Sequence, residues 1–456
     1  MSLDLLDVLV ILAYFVLVLA SGFWANRAVG LRTYLINDGS TSTLLLTCAT
    51  VSTIVGAGAI VGTASAAHSS GISYGISSLL AILGNLLIFL WLMPRIREQA
   101  RASNCYTTGE FLCRRFSRTP AAIFSVVYTL VAAIWTAVQF LALANLMTVM
   151  LGISLGMSLL LAALVSISYS TFGGTRSDIL TDFVQFWIML VTFLVLVPAV
   201  FTQSGGFPAL QALPAGHFDP LAFGGLPLMI GSIIIGGLYP LGNVYDWLRM
   251  NSAESTAACR KAYLISIPLI ALFMLSAVLL GLCARLLVPD IAADQSLFQV
   301  MNRNLPVGLR GLALASIMAV VMSSVDSIMI SASATLVSRV WRKEEGTVQR
   351  SDQQKLFRLR LVLIVFGLSC VAIAWLIPSI VNLSLTAAFV SLCFGPAILA
   401  GLISERTTSK GATISLILAL LGLALAYPFL GTSSFVVSII LGVPPLLIFK
   451  SRVDRP

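Results

Sequence analysis

Apolar residues in this chain come in long runs separated by short polar stretches. A run of about 20 apolar residues is what a helix needs to cross the hydrocarbon of a bilayer. Thirteen such runs can be marked, at residues 6–26, 43–69, 73–94, 119–150, 153–172, 177–202, 222–248, 262–288, 308–338, 357–378, 380–403, 411–430 and 432–449. The pattern predicts an all-α integral membrane protein with about thirteen transmembrane helices. The polar connections are too short to fold into a soluble domain; the longest on the cytoplasmic side, 94–120 and 340–356, are about 20 residues each. Residues 296–305, SLFQVMNRNL, are mildly amphipathic and predict a short helix outside the spans.

Two of the runs are interrupted at their centres. The second contains TCATVSTIVGAGAIVG (47–62), in which Gly56, Gly58 and Gly62 follow the hydroxyls of Ser52 and Thr53. Each glycine weakens a helix by about 1 kcal/mol relative to alanine, and hydroxyls compete for backbone hydrogen bonds. Backbone unwound inside hydrocarbon is tolerated only where it lines a cavity or holds a ligand. Gly58-xxx-Gly62 also fits a helix-packing motif. The seventh run, GSIIIGGLYPLGNVYDW (231–247), carries Pro240 among four glycines, and proline removes a ladder hydrogen bond. The two breaks lie five spans apart. An odd repeat enters the membrane inverted, so the expected plan is a leucine-transporter-like 5+5 inverted repeat with two broken helices. Its halves would be 43–202 and 222–403, with an extra helix at 6–26 and two more at 411–449, in one membrane transport domain over 1–456.

Composition and charge agree with the pattern. The chain is 58% hydrophobic and 10% charged, with a mean hydropathy of +1.00. No small-residue cleavage site follows the first run, which therefore reads as a span and not a signal peptide. The net charge of +9 is a topology signal: 24 of the 27 basic residues fall in alternate loops, and only Arg285, Arg303 and Arg310 in the others. By the positive-inside rule the C-terminus is cytoplasmic and the N-terminus, with Asp4 and Asp7, outside. No nucleic-acid partner is needed to explain the basic excess, and no obligate protein partner is indicated. Seven scattered cysteines without a CxxC suggest neither a disulfide framework nor a zinc site.

Ionisable groups inside spans are functional by default. Asp326 lies near the centre of the ninth run, with Ser324, Ser327, Ser331 and Ser338 on one helical face and Ser323 beside it. Several oxygens without nitrogen or sulfur suit a hard cation. Asp178 and Asp182 are one turn apart in the sixth run. Asp178 is expected to pair with Arg176 or water, and Asp182, about 9 Å deeper than Arg176, to serve a second cation or a proton. Asp246 and Arg249 are spaced as an i, i+3 ion pair. Trp135 and Gln139 share a face of the fourth run, and with Thr53, Tyr239 and Asn243 near the breaks they are the candidates for meeting a solute.

Three stretches together resemble the sodium:solute symporter family: STIVGAGAIVGTASAAHSSGISYG (52–75), FGGTRSDILTDFVQ (172–185) and AVVMSSVDSIMISAS (319–333). Within it the nearest pattern is the high-affinity choline transporter-like branch, although Ile54 stands where those carriers have tryptophan. The resemblance implies a main sodium site made by the backbone carbonyls of Ser52, Val55 and Val320 and the hydroxyls of Ser323 and Ser324. It implies a second site, present in some members, at Asp182, Asp326 and Ser327.

The expected function is secondary active transport, with Na+ and a small organic solute carried into the cell together by alternating access across the cell membrane. Proton-coupled symport and a membrane solute sensor are the alternatives. No nucleophile–base pair or metal-ligand spacing points to an enzyme.

Overall fold

The computed structural model describes residues 4–25, 31–103, 105–171, 174–344 and 352–451; the loop 345–351 expected on the cytoplasmic side lies outside them. The elements that matter for the site are α1 (Leu5–Ala25), α2 (Thr43–Ile54), α3 (Thr63–Ser70), α4 (Ser73–Ser103), α5 (Arg118–Leu151), α6 (Leu155–Ser170) and α7 (Thr175–Gln203). The second part of the chain adds α8 (Gly225–Leu238), α9 (Val244–Ser252), α10 (Thr256–Leu287), α11 (Ala293–Asn304), α12 (Leu309–Glu344), α13 (Asp352–Leu376), α14 (Ile380–Leu392), α15 (Gly395–Ile403), α16 (Ser409–Leu430) and α17 (Phe435–Gly442). The amphipathic segment at 296–305 forms most of α11, as its pattern predicts.

Among the described residues ten helices are long and apolar enough to cross a membrane, and the bent pair α2–α3 makes an eleventh. The expected runs at 153–172 and 432–449 are instead shorter apolar helices, Leu155–Ile167 and Phe435–Ile448. Left-handed Gly152 closes α5, and the side chain of Ser154 then caps α6. A turn headed by Pro444 follows α17 directly.

The helices are sorted by burial. The apolar windows of α1 and α16 are only 22% and 28% buried, and side chains such as Phe429 stand out toward what would be lipid. That of α12 is 94% buried. Its alanines and serines, including Ala319, Ser323, Ser327 and Ser331, let neighbouring backbones approach, the usual basis of close packing between membrane helices. Close approach also decides Gly236, where a Cβ would lie 1.9 Å from the Ala81 carbonyl oxygen of α4. Its role is helix contact, and the second break begins only after it.

Polar clasps hold the two ends. Asp7 of α1 accepts from Arg310 Nε and Nη2 (2.9 and 2.6 Å) and from the amides of Gly308 and Gly311 (2.8 and 2.7 Å). Arg115 donates to the Gly401 and Ser404 carbonyls (3.2 and 2.5 Å). Each clasp joins residues that the alternation of basic loops assigns to one side.

Candidate functional site

The first break runs through residues 55–57. Val55 has ψ of 50° and ends α2; Gly58–Gly62 forms a π-helical turn before α3, and the two halves are bent by 52°. The second break is a single 3₁₀ turn, Tyr239–Gly242, followed by extended Asn243 with ψ of 114°. Both fall where glycine and proline deplete the helical ladder.

The serines of α12 meet carbonyls at the first break. Ser323 Oγ donates to the Ser52 oxygen at 2.9 Å and Ser324 Oγ to the Thr53 oxygen at 2.9 Å. The Val320 carbonyl lies 3.2 and 3.3 Å from the same two hydroxyls. Gly56 allows this approach, since a Cβ there would lie 2.3 Å from Ser324 Oγ. Ser52, Val55, Val320, Ser323 and Ser324 are all fully buried or nearly so. Ser52, Val320, Ser323 and Ser324 are thus joined by hydroxyl–carbonyl hydrogen bonds at the turn where Val55 ends α2.

Two of the second predicted group, Asp182 and Ser327, meet a cation of the protein's own. Arg249 of α9 reaches Asp182 Oδ2 at 2.5 Å, Asp178 Oδ2 at 3.1 Å and Ser327 Oγ at 2.7 Å, and it also donates to the Ala49 carbonyl of α2. Ser327 Oγ donates to both oxygens of Asp178 at 2.9 Å, and Thr53 Oγ1 lies 3.2 Å from Ser327 Oγ. This corrects two expectations. Asp178 is buried and bonded to Arg249, while Arg176 is exposed; Arg249 forms its ion pairs with Asp178 and Asp182, not with Asp246. The reason is the second break, which starts a new helix at Val244 and aims Arg249 across to α7. Asp182 Oδ1 has no hydrogen-bond partner among the described residues. Asp326 is buried one residue before Ser327.

Between the two breaks lies a cavity of about 210 Å³. Thr53, Trp135, Gln139 and Tyr239, four of the five residues expected to meet a solute, line it. Gln139 Oε1 also accepts the Ala57 amide at 3.0 Å, tying α5 to the first break. Asn243 stands behind the wall, donating to Tyr245 Oη at 2.9 Å. The sequence reading missed Thr63, Ser77 and Ser384, which line the cavity with buried hydroxyls that have no partner among the described residues, as does the indole N–H of Trp135. Ser77 and Ser384 lie in unbroken spans, where serine carries no distinguishing signal. It also missed Asp246 as a wall residue. Unpartnered buried donors and acceptors are costly, and their convergence on one concave space marks it for a polar ligand.

The chain is similar to several known proteins. A model of the sodium:solute symporter family matches residues 34–419. The chain is 25% identical to the sodium/pantothenate symporter of Escherichia coli (strain K12), covering 90% of this chain and 88% of that one. It is 26% identical to the sodium/proline symporter of Staphylococcus aureus (strain USA300 / TCH1516), covering 80% and 75%. Among solved structures, a Na+-coupled sialic acid symporter in a substrate-bound outward-open state superposes with a TM-score of 0.82, at 19% identity over 99% of this chain and 100% of the other. A nucleobase-cation-symport-1 family transporter gives a TM-score of 0.58, at 14% identity over 91% and 94%. These likenesses show the fold, a leucine-transporter-like helical membrane architecture.

Proposed function

The chain belongs to the sodium:solute symporter family, a family of transporters and not enzymes, and from that premise we propose how it carries its cargo. Sodium and a small organic solute enter the cell together by alternating access, the solute in the cavity and the ion at the first break. The observation that carries this reading is the meeting of the Ser323 and Ser324 hydroxyls with the Ser52 and Thr53 carbonyls directly beside that cavity. A sodium ion replacing those hydrogen bonds would take the hydroxyl oxygens and the carbonyls of Ser52, Val55 and Val320 as ligands. Its binding would fix the broken turn that also forms the cavity wall at Thr53 and Gly56, so ion and solute would favour the same conformation.

At the second position Arg249 supplies one positive charge against Asp178 and Asp182. A second sodium, or a proton, would have to share Asp182 through its remaining oxygen, with Asp326 and Ser327 nearby. The inverted halves 43–202 and 222–403 would supply the moving parts, and the protein would sit in the cell membrane with its C-terminus in the cytoplasm.

The test is Ser324→Ala in proteoliposomes. The sodium concentration for half-maximal uptake should rise about tenfold, as expected from loss of about 1.4 kcal/mol, while insertion and folding are kept. Uptake that ignores replacement of sodium by potassium and collapses with a proton uncoupler would instead establish proton coupling. Sodium-dependent solute binding without any flux would favour a sensor.

A further inference from the structure

The wall of the cavity holds one charged side chain among the described residues, Asp246. Its carboxylate is buried, with 4% of the residue exposed. Asn243 Nδ2 contacts Oδ2 at 3.5 Å, and no other hydrogen bond to this carboxylate is present among the described residues. The one arginine near it, Arg249, is committed to Asp178, Asp182, Ser327 and the Ala49 carbonyl. Among the described residues no lysine, arginine or histidine lines the cavity. A buried carboxylate is costly unless something pairs with it, and here the open side of the carboxylate is the solute space.

The other walls suit the same partner. Trp135 and Tyr239 place their rings 6.4 Å apart and inclined at 46°, and both line the cavity with Tyr245 and Phe389. Aromatic faces attract a desolvated cation. An anionic solute would meet Asp246 with no side-chain cation in the described wall to balance its own charge, and a zwitterion would find a side-chain partner for its ammonium end alone.

We propose that the solute is an organic cation, a protonated or quaternary amine without a carboxylate, and that Asp246 is its counter-ion. This rests on the reading of the cavity as the solute site of a symporter. It departs from what the names of the two relatives would suggest, since pantothenate is an anion and proline a zwitterion.

The experiment measures thermal stabilisation of the purified full chain in sodium and in potassium. The probes are matched in shape and differ in charge: choline against 3,3-dimethylbutan-1-ol, butylammonium against butan-1-ol, and glycine betaine as the zwitterion. The two cations should stabilise the wild type in sodium at concentrations at least tenfold lower than their neutral partners or betaine. Asp246→Asn should lose that preference, and Asp246→Glu, which keeps the charge, should retain part of it. Equal stabilisation by cation and neutral partner, stronger stabilisation by betaine, or none by either cation up to 100 mM would overturn the proposal. So would an unchanged preference in Asp246→Asn. If that variant does not fold, the wild-type comparison alone decides. Sodium alone, without any probe, should stabilise the wild type, and Ser324→Ala only at about tenfold higher concentration. That arm tests coupling separately, so failure of the charge preference and failure of the symport reading give different results.

Discussion

Gly56 and Gly62 both lack a side chain, but the surroundings demand it only of the first. A Cβ on Gly56 would lie 2.3 Å from Ser324 Oγ and 3.0 Å from Gln139 Nε2, whereas one on Gly62 would meet Ile380 Cγ2 at an ordinary 3.4 Å. Gly56→Ala should therefore push α12 and α5 off the first break and weaken sodium and solute binding together by tenfold or more. Gly62→Ala adds the same methyl group in a tolerant place and should leave both affinities unchanged. Its stability should move by no more than about 1 kcal/mol, the helix-propensity difference between the two residues. Titrating sodium and a transported solute against each variant, with melting temperatures alongside, checks the contrast; equal stability losses with intact affinities would make both glycines packing residues. The cluster of glycines is visible in the sequence, but not which of them stands against a serine far along the chain.

At the scale of elements, the broken helices are held by side chains reaching across from intact ones. Arg249 joins α9 to α7, α12 and α2 in one buried network. Removing one partner from a buried ion pair strands the other and costs about 3–5 kcal/mol. Arg249→Ala should lower stability by that order, and adding Asp182→Asn should restore part of it, as read by thermal unfolding in detergent. At the other end Asp294 of α11 accepts from Ser65 Oγ of α3 at 2.7 Å and from the Ile380 amide that starts α14 at 3.0 Å. Asp294→Ala should free α3 from α14. A cysteine at Ala388, on the cavity wall, should then react several-fold faster with a water-soluble thiol reagent in a cysteine-free background. An unchanged rate would mean that this clasp is not part of the closure. The sequence made the breaks legible, because glycine and proline act locally on the ladder. Asp326 and Asp182 could also be singled out, since charge is rare in a span. Arg249 could not be assigned its partners, because i, i+3 spacing proposes Asp246 and only the direction of α9 after the break sends the guanidinium to Asp178 and Asp182. Ser77, Thr63 and Ser384 needed the fold to bring them to one space.

For the whole molecule, the alternation of basic loops makes a claim about sidedness. In the cysteine-free background a cysteine in residues 209–216 should react with an impermeant reagent from outside. One in residues 404–408, beside the Arg115 clasp, should react only after the membrane is permeabilised. The reverse pattern would invert the protein in the membrane and with it the direction of uptake. Asp246 has a consequence for the transport cycle as a whole. Loaded with an organic cation, the cavity carries a neutralised pair through the change of access. After release the carrier must return with that carboxylate unaccompanied in a closed interior, where an isolated ion costs several kcal/mol even after relaxation. The unloaded return would thus be the slow leg of the cycle. Solute on the far side, by riding back, would spare the carrier that leg. Labelled solute should therefore leave preloaded vesicles faster when unlabelled solute is present outside than when it is absent, and in Asp246→Asn the two rates should converge.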